Sequence, residues 1–284
     1  MRRFFAPPEQ SRGGVFELPE REARHATQVL RLSVGDDLTV LDGAGGVLIC
    51  VVEAISKRSV RVTVRQRQQH APLPCPVTLV PAVPKGSAFD TIIQKATELG
   101  VARIIPLLSE RVVVQINERE AAAKVEKWQQ IAIESIKQCG SPWLPVIELP
   151  ISFDKFAAEC ARSWALQPLI TNQRPSYSNA AISSDMAAPG DGRTPQAELA
   201  IVASLESGSR TLREVLSDFS IAQQRRPKSA LVWIGPEGDF TPAEYAALAK
   251  LGAAPVTLGP LILRADTAAI AILSVLNYEL AAPR

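Results

Sequence analysis

Residues 230–244 read Ala230-Leu231-Val232-Trp233-Ile234-Gly235-Pro236-Glu237-Gly238-Asp239-Phe240-Thr241-Pro242-Ala243-Glu244. The apolar run to Ile234 shows no polar alternation, which is the pattern of a strand buried on both faces of a parallel sheet. Gly235-Pro236-Glu237-Gly238 then breaks the run as a turn. A helix start follows, with Thr241 placed as N-cap, Pro242 at N1 and Glu244 at N3. Strand, turn and capped helix in sequence are the unit from which α/β folds are built. The glycines leave room for a ligand at the carboxyl end of the strand, where open α/β sheets bind theirs. A tight connection with good capping needs the same residues, so this stretch settles fold class and not function.

The same alternation extends to both sides. Strands are expected over residues 77–83, 103–108, 166–170, 199–203 and 255–258. Helices are expected over residues 88–99, closed by Gly100, and over residues 121–138, 241–251 and 267–280. Residues 172–198, rich in Ser, Pro, Gly and Asn without a period, read as a surface insertion. A second glycine turn stands at Leu258-Gly259-Pro260-Leu261-Ile262-Leu263-Arg264-Ala265-Asp266-Thr267-Ala268. Asp266 suits a helix cap worth about 1 kcal/mol. Arg264, a lone cation between Leu263 and an Ala-rich helix, needs either solvent or an anion.

The first 70 residues differ. A strand at residues 15–18 and a charged helix over residues 20–32, ended by Gly35-Asp36, precede three strands at residues 37–41, 47–55 and 59–67. Arg61, Arg65 and Arg67 are expected on one pleat face of the last strand. A small β-barrel is the expected product. Pro72, Pro74 and Pro76 forbid a helix in the linker that follows.

Of 284 residues, 46% are hydrophobic and 21% charged, an ordinary globular composition for two domains. Lys and Arg number 31 against 29 acids, which excludes a histone-like polycation. The basic excess lies in residues 1–70, with 11 cations against 8 acids. Four cysteines, with no C-x-x-C pair, and two histidines, His25 and His70, are too sparse for a zinc site or a disulfide framework. No G-x-G-x-x-G or P-loop is present, and with no histidine after residue 70 a Ser-His-Asp triad in the α/β part is impossible. Met1-Arg2-Arg3-Phe4-Phe5 leads into Ala6-Pro7-Pro8 rather than a secretory core, and no apolar run nears the ~18 residues of a membrane span, so a cytoplasmic protein is expected.

Five groups of residues, in order along nearly the whole chain, resemble the SPOUT-class methyltransferases and within them the 16S rRNA (uracil-N3) methyltransferase family. They are His25-Ala26 with Val29-Leu30-Arg31 and Gly35-Asp36; Lys85-Gly86; Gln94-Lys95-Ala96-Thr97-Glu98-Leu99-Gly100-Val101; Glu110-Arg111 with Trp128, Glu134 and Gln138; and the two glycine turns. Gly238-Asp239 stands where the family usually has Gly-Gly, and Asp266 where it usually has Glu. Ser141-Pro142-Trp143 stands where an Arg is common.

The resemblance implies an α/β fold with a C-terminal trefoil-knotted SPOUT domain on a parallel sheet (residues 77–284) and an N-terminal PUA-like β-barrel (residues 1–70). It implies S-adenosylmethionine as methyl donor, held by the turns at Leu205, at Ile234, Gly235, Pro236, Glu237 and Gly238, and at Leu258, Gly259, Ile262 and Leu263. The expected reaction is methylation of uridine N3 in 16S rRNA of the small ribosomal subunit, by a homodimer paired through the knotted domain, with no metal. Arg264 is the expected anion stabiliser, with Asp266 or Glu237 as base. Arg2, Arg3, His25, Arg31, Arg61, Arg65 and Lys85 are the expected RNA contacts, with Phe5 or Trp143 as a stacking aromatic. Methylation of a ribose 2′-hydroxyl or another base, and a catalytically weak assembly factor, stand as alternatives.

Overall fold

A computed structural model describes residues 2–56, 58–114, 116–165 and 197–280 of the chain. The expected strand at residues 166–170, and all but the last two residues of the expected insertion, lie outside the described residues.

The N-terminal part contains β1 (Arg3–Phe5), α1 (Pro8–Ser11), β2 (Val15–Glu17), α2 (Glu20–Arg24), β3 (Asp37–Leu41), β4 (Gly46–Ile55) and β5 (Val60–Gln69). They form one five-stranded sheet in the order β1-β3-β4-β5-β2. Phe4, Phe16, Leu38, Val40, Leu48, Val52, Val60 and Val62 fill its own core.

Two expectations change here. The helix over residues 20–32 is shorter, because α2 passes at His25–Val29 into a π turn. It stops at Arg31, whose φ of 49° is left-handed, not at Gly35. The Leu32 amide reaches back to the Ala26 carbonyl across that residue, a closure more often made with glycine.

The arginines of β5 do not share a face either. Ile49 opposes Gln66 while Cys50 opposes Val64, so Arg65 is an extra, bulged residue and the pleat reverses beyond it. Arg67 consequently opposes the buried Leu48 and donates to the Ser11 carbonyl, away from Arg61.

The rest of the chain continues through β6 (Val77–Pro81), α3 (Ala88–Glu98), β7 (Arg103–Ile104), β8 (Leu107–Leu108), α4 (Glu118–Cys139), β9 (Val146–Ile147), β10 (Ile151–Ser152) and α5 (Phe153–Ala165). After it come β11 (Leu199–Ala203), β12 (Arg210–Thr211), α6 (Leu212–Gln223), β13 (Ala230–Ile234), α7 (Pro242–Lys250), β14 (Ala254–Thr257) and α8 (Ala265–Leu280). Seven strands form a sheet in the order β12-β14-β11-β13-β6-β7-β9, parallel at every pairing.

Both faces of this sheet are covered, which is why its strands read as unbroken apolar runs. Leu79, Ile201 and Val232 meet α3, α4 and α8 on one side. Val80, Val202 and Trp233 meet α5 and α7 on the other. The single strand expected over residues 103–108 is two, since Pro106 has no N–H to donate and the chain changes partner there, from β6 to β10.

Helix ends follow the sequence signals. Thr241 and Glu244 make a reciprocal capping box on α7, and Thr211 and Glu214 make another on α6. Helix α8 begins at Ala265, with the Arg264 carbonyl accepting from the Ala268 amide. Asp266 therefore lies inside the first turn, where its Oδ1 accepts from Thr267 N at 2.8 Å, rather than at the N-cap.

Candidate active site at the carboxyl edge of the sheet

Strands β14, β11 and β13 are neighbours and run the same way, so the segments leaving their carboxyl ends emerge side by side. These are Leu258–Leu263, Ser204–Leu205 and Gly235–Asp239. All three turns singled out in the sequence meet on one edge, although 53 residues separate Leu205 from Leu258 along the chain. Leu205, Leu261 and Ile262 are large apolar side chains left 57%, 74% and 81% exposed there. Apolar surface of that kind, converging from separate strands, is what a partly apolar ligand covers.

The Gly235 turn is held by polar contacts. Asp239 stands at φ 60°, a conformation that Asp tolerates better than most residues. Its amide donates to the Pro236 carbonyl, and its Oδ1 accepts from Phe240 N and Tyr245 Oη, each at 2.8 Å. Hydrogen bonds from neighbours thus offset the strain that glycine would not carry. A Cβ on Gly235 would lie 2.9 Å from Asp239 Oδ1, so any larger residue there would have to displace that carboxylate from its two donors.

Tyr245 Oη also lies 3.5 Å from the Ala203 carbonyl and ties this turn to the end of β11. Burial, reinforced by the Asp239 carboxylate, raises the Tyr245 phenol and keeps it a neutral donor. Arg111 donates to the Gly238 carbonyl at 2.6 Å, and Glu244 accepts from Glu110 N at 2.9 Å. Tyr245 and the anchoring role of Arg111 escape sequence reasoning. Their one signal is place: Tyr245 follows the capping Glu244, and Arg111 stands in a matched motif.

In the second turn Gly259 has φ 126°, closed to other L residues, and its amide is held by Thr257 Oγ1. Glu237 and Arg264 are exposed. Among the described residues the Arg264 guanidinium has neither an ion-pair nor a hydrogen-bond partner. It stands at the same edge as the apolar rim, free to meet an anion.

Comparison with known proteins places this architecture. The profile of the RNA methyltransferase domain matches residues 71–183 and 192–277, and that of the RNA methyltransferase PUA domain matches residues 18–65. The chain belongs to the RNA methyltransferases related to ribosomal RNA small subunit methyltransferase E. The Synechocystis protein of that name is 30% identical over 97% of this chain and 77% of its own length. The Bacillus subtilis one is 28% identical over 93% and 90%. A Legionella pneumophila methyltransferase, solved with bound SAM, superposes with a TM-score of 0.77 at 28% identity, covering 98% of this chain and 97% of its own.

The methyltransferase carries its expected RNA-binding cations in unequal circumstances. Arg2 pairs with Asp36 at 2.7 Å, Arg61 with Glu17 at 3.5 Å and Arg65 with Asp37 at 2.9 Å, all at the surface. Arg3 donates to the Lys137 and Gln138 carbonyls at the end of α4, so its guanidinium closes that helix. His25 packs edge-on against Phe4. Arg31 and Lys85 are exposed and without a partner among the described residues. Trp143 donates to the Ala71 carbonyl and is half-buried at the junction of the two parts, and Phe5, near Gly43, is half-buried too.

That junction is built rather than incidental. Lys137 Nζ reaches Glu22 Oε1 at 2.9 Å and Glu134 Oε1 at 3.0 Å, and Lys137 and Glu22 are both buried. Backbone bonds from Gly45 N to the Pro142 carbonyl and from Leu144 N to the Gly43 carbonyl cross the same junction.

Proposed function

We propose that this methyltransferase transfers the methyl group of S-adenosylmethionine to N3 of a uridine in 16S rRNA of the small ribosomal subunit. The observation that carries the reading is the convergence of three turns at the carboxyl ends of β14, β11 and β13, with an unpaired Arg264 beside them. The names of the relatives and the SAM-bound Legionella structure support both donor and RNA class.

The residues present suit such a donor. Backbone groups at three strand ends can read an adenine edge, and Leu205, Leu261 and Ile262 can cover its faces and the ribose. When bound, S-adenosylmethionine supplies an electrophilic methyl on its sulfonium, so no metal is required for activation. In this reading the turns Ile234–Gly238 and Leu258–Leu263 form the walls of a trefoil knot.

The chain must then prepare the acceptor. Uridine N3 becomes nucleophilic only on losing its proton, and the negative charge spreads onto the flanking carbonyl oxygens. Asp266 or Glu237 takes the proton, and Arg264 stabilises the resulting anion; with the donor bound, its sulfonium would give up the methyl group to N3 and leave as the neutral thioether. Residues 1–70 grip the RNA through Arg31 and the surface cations, Lys85 contacts it from the second part, and two copies work as a homodimer in the cytoplasm.

Mass spectrometry of digested 16S rRNA from a strain lacking the gene tests the reading. Loss of one 3-methyluridine, restored by the wild-type gene, is the expected result. Loss of a ribose-methylated or differently methylated nucleoside, or no loss at all, refutes it.

A further inference from the structure

A second concavity lies away from the strand-end turns. A groove of about 750 Å³ runs between α2, α3 and α4 and is lined by Arg21, Ser87, Gln94, Gln130, Ile131 and Gln138 among others. Its size falls in the range of pockets that hold small organic groups. Its Ser87 end, at the start of α3, lies beyond the carboxyl end of β6, which pairs in parallel with β13, and so on the same edge of the sheet as Gly235.

The charges in this groove cancel locally. Lys127 pairs with Asp90 at 2.6 Å, and Arg21 lies 3.7 Å from Glu134 while also donating to Gln130 Oε1. No excess of cations remains for phosphate. What remains free is neutral: the side-chain amides of Gln94 and Gln138 have no partner among the described residues, and the Ser87 hydroxyl makes no cap bond to α3. Gln94, Glu134 and Gln138 belong to the matched motifs of the sequence, yet the methyl-transfer site uses none of them.

We propose that this groove receives the base of an unpaired nucleotide flanking the methyl acceptor, read by the amides of Gln94 and Gln138. A glutamine amide sets a donor beside an acceptor, which complements the hydrogen-bonding edge of a nucleobase. Single-stranded RNA is recognised through such splayed bases, and Ile131 offers an apolar surface beside them. The proposal rests on the RNA-methyltransferase reading and adds a second point of contact to it, one that selects sequence rather than charge.

The test uses the full-length chain, in vitro transcribed 16S rRNA and the variants Gln94→Ala, Gln138→Ala and the double substitution. The double variant is expected to raise the RNA Kd and the RNA KM about tenfold. The S-adenosylmethionine Kd, by calorimetry, and kcat should stay within twofold. Neutral base contacts release no counterions, so the slope of log Kd against log salt should not change.

An unchanged RNA Kd in the double variant overturns the proposal. So does a loss of affinity accompanied by a shallower salt slope, which would make this a phosphate site. Weakened self-association with intact RNA binding would make the groove an interface between copies and overturn it equally. A wild-type protein that binds RNA without methylating it would sink the reading of the reaction instead, leaving the binding comparison valid.

Discussion

Replacing Lys137 by Met should be among the most damaging single substitutions at the junction of the two parts. Only 7% of the Lys137 side chain and 4% of the Glu22 side chain are exposed. Among the described residues the remaining support for the Glu22 carboxylate is one long contact, 3.4 Å from Phe5 N. Without the ammonium a carboxylate is left buried and almost unpaired, which costs about 3–5 kcal/mol.

Glu134 contributes far less. Its side chain is 45% exposed, so Glu134→Gln should cost no more than about 1 kcal/mol. Pairing Lys137→Met with Glu22→Leu removes both charges and should recover most of the loss. The assay is guanidinium unfolding of the full chain, followed by tryptophan fluorescence and far-UV circular dichroism together, because two cores need not melt in one step. A Lys137→Met protein within about 1 kcal/mol of wild type, or a double variant whose losses simply add, would refute the reasoning.

Arg264→Ala should lower single-turnover methyl transfer by about 10²–10³ with cofactor affinity retained; a rate within a few-fold of wild type makes Arg264 structural. Arg31→Gly should stabilise the chain by about 1 kcal/mol in denaturant, because it relieves the left-handed backbone. In salt-titrated RNA binding, Arg31→Ala should reduce the log–log slope by about 1, and an unchanged slope makes it a solvated residue. Only Cys139 is an exposed thiol, while burial pushes Cys50 and Cys75 up to about 11 and Cys160 to about 12. A disulfide reagent at pH 8 should titrate one thiol in the native protein and four after denaturation. Since the folded chain holds the other three protons more tightly, their contribution to stability is complete below pH 9 and is lost as pH climbs towards 11–12.

Position in sequence accounts for several of these features. The capped start of α7 was legible because Thr241, Pro242 and Glu244 interact within one turn. The buried strands β11 and β13 were legible because a strand covered on both faces has no polar side to show. Helices α5 and α6 were not, although α6 carries a capping box as good as that of α7; its apolar face is short and its neighbours are polar. Which side of α8 faces the core was not legible in its nearly uniform apolar run: Leu273, Leu276 and Leu280 are buried, while Val275 and Tyr278 are the large apolar side chains it leaves exposed.

The sequence by itself determined the local grammar of this protein: which runs are strands, where helices begin, and which glycines open room at strand ends. Those are consequences of interactions a few residues long. Tertiary structure alone decided what those pieces meet. The order β14-β11-β13 sets three distant turns on one edge, a single bulged residue sends Arg67 away from Arg61, and an ammonium and a carboxylate 115 residues apart close on each other in the interior. Nothing local encodes such meetings. They arise because burying both faces of a seven-stranded sheet, together with a second core, leaves few ways to pack the chain, and the side chains that carry the chemistry go where that packing puts them.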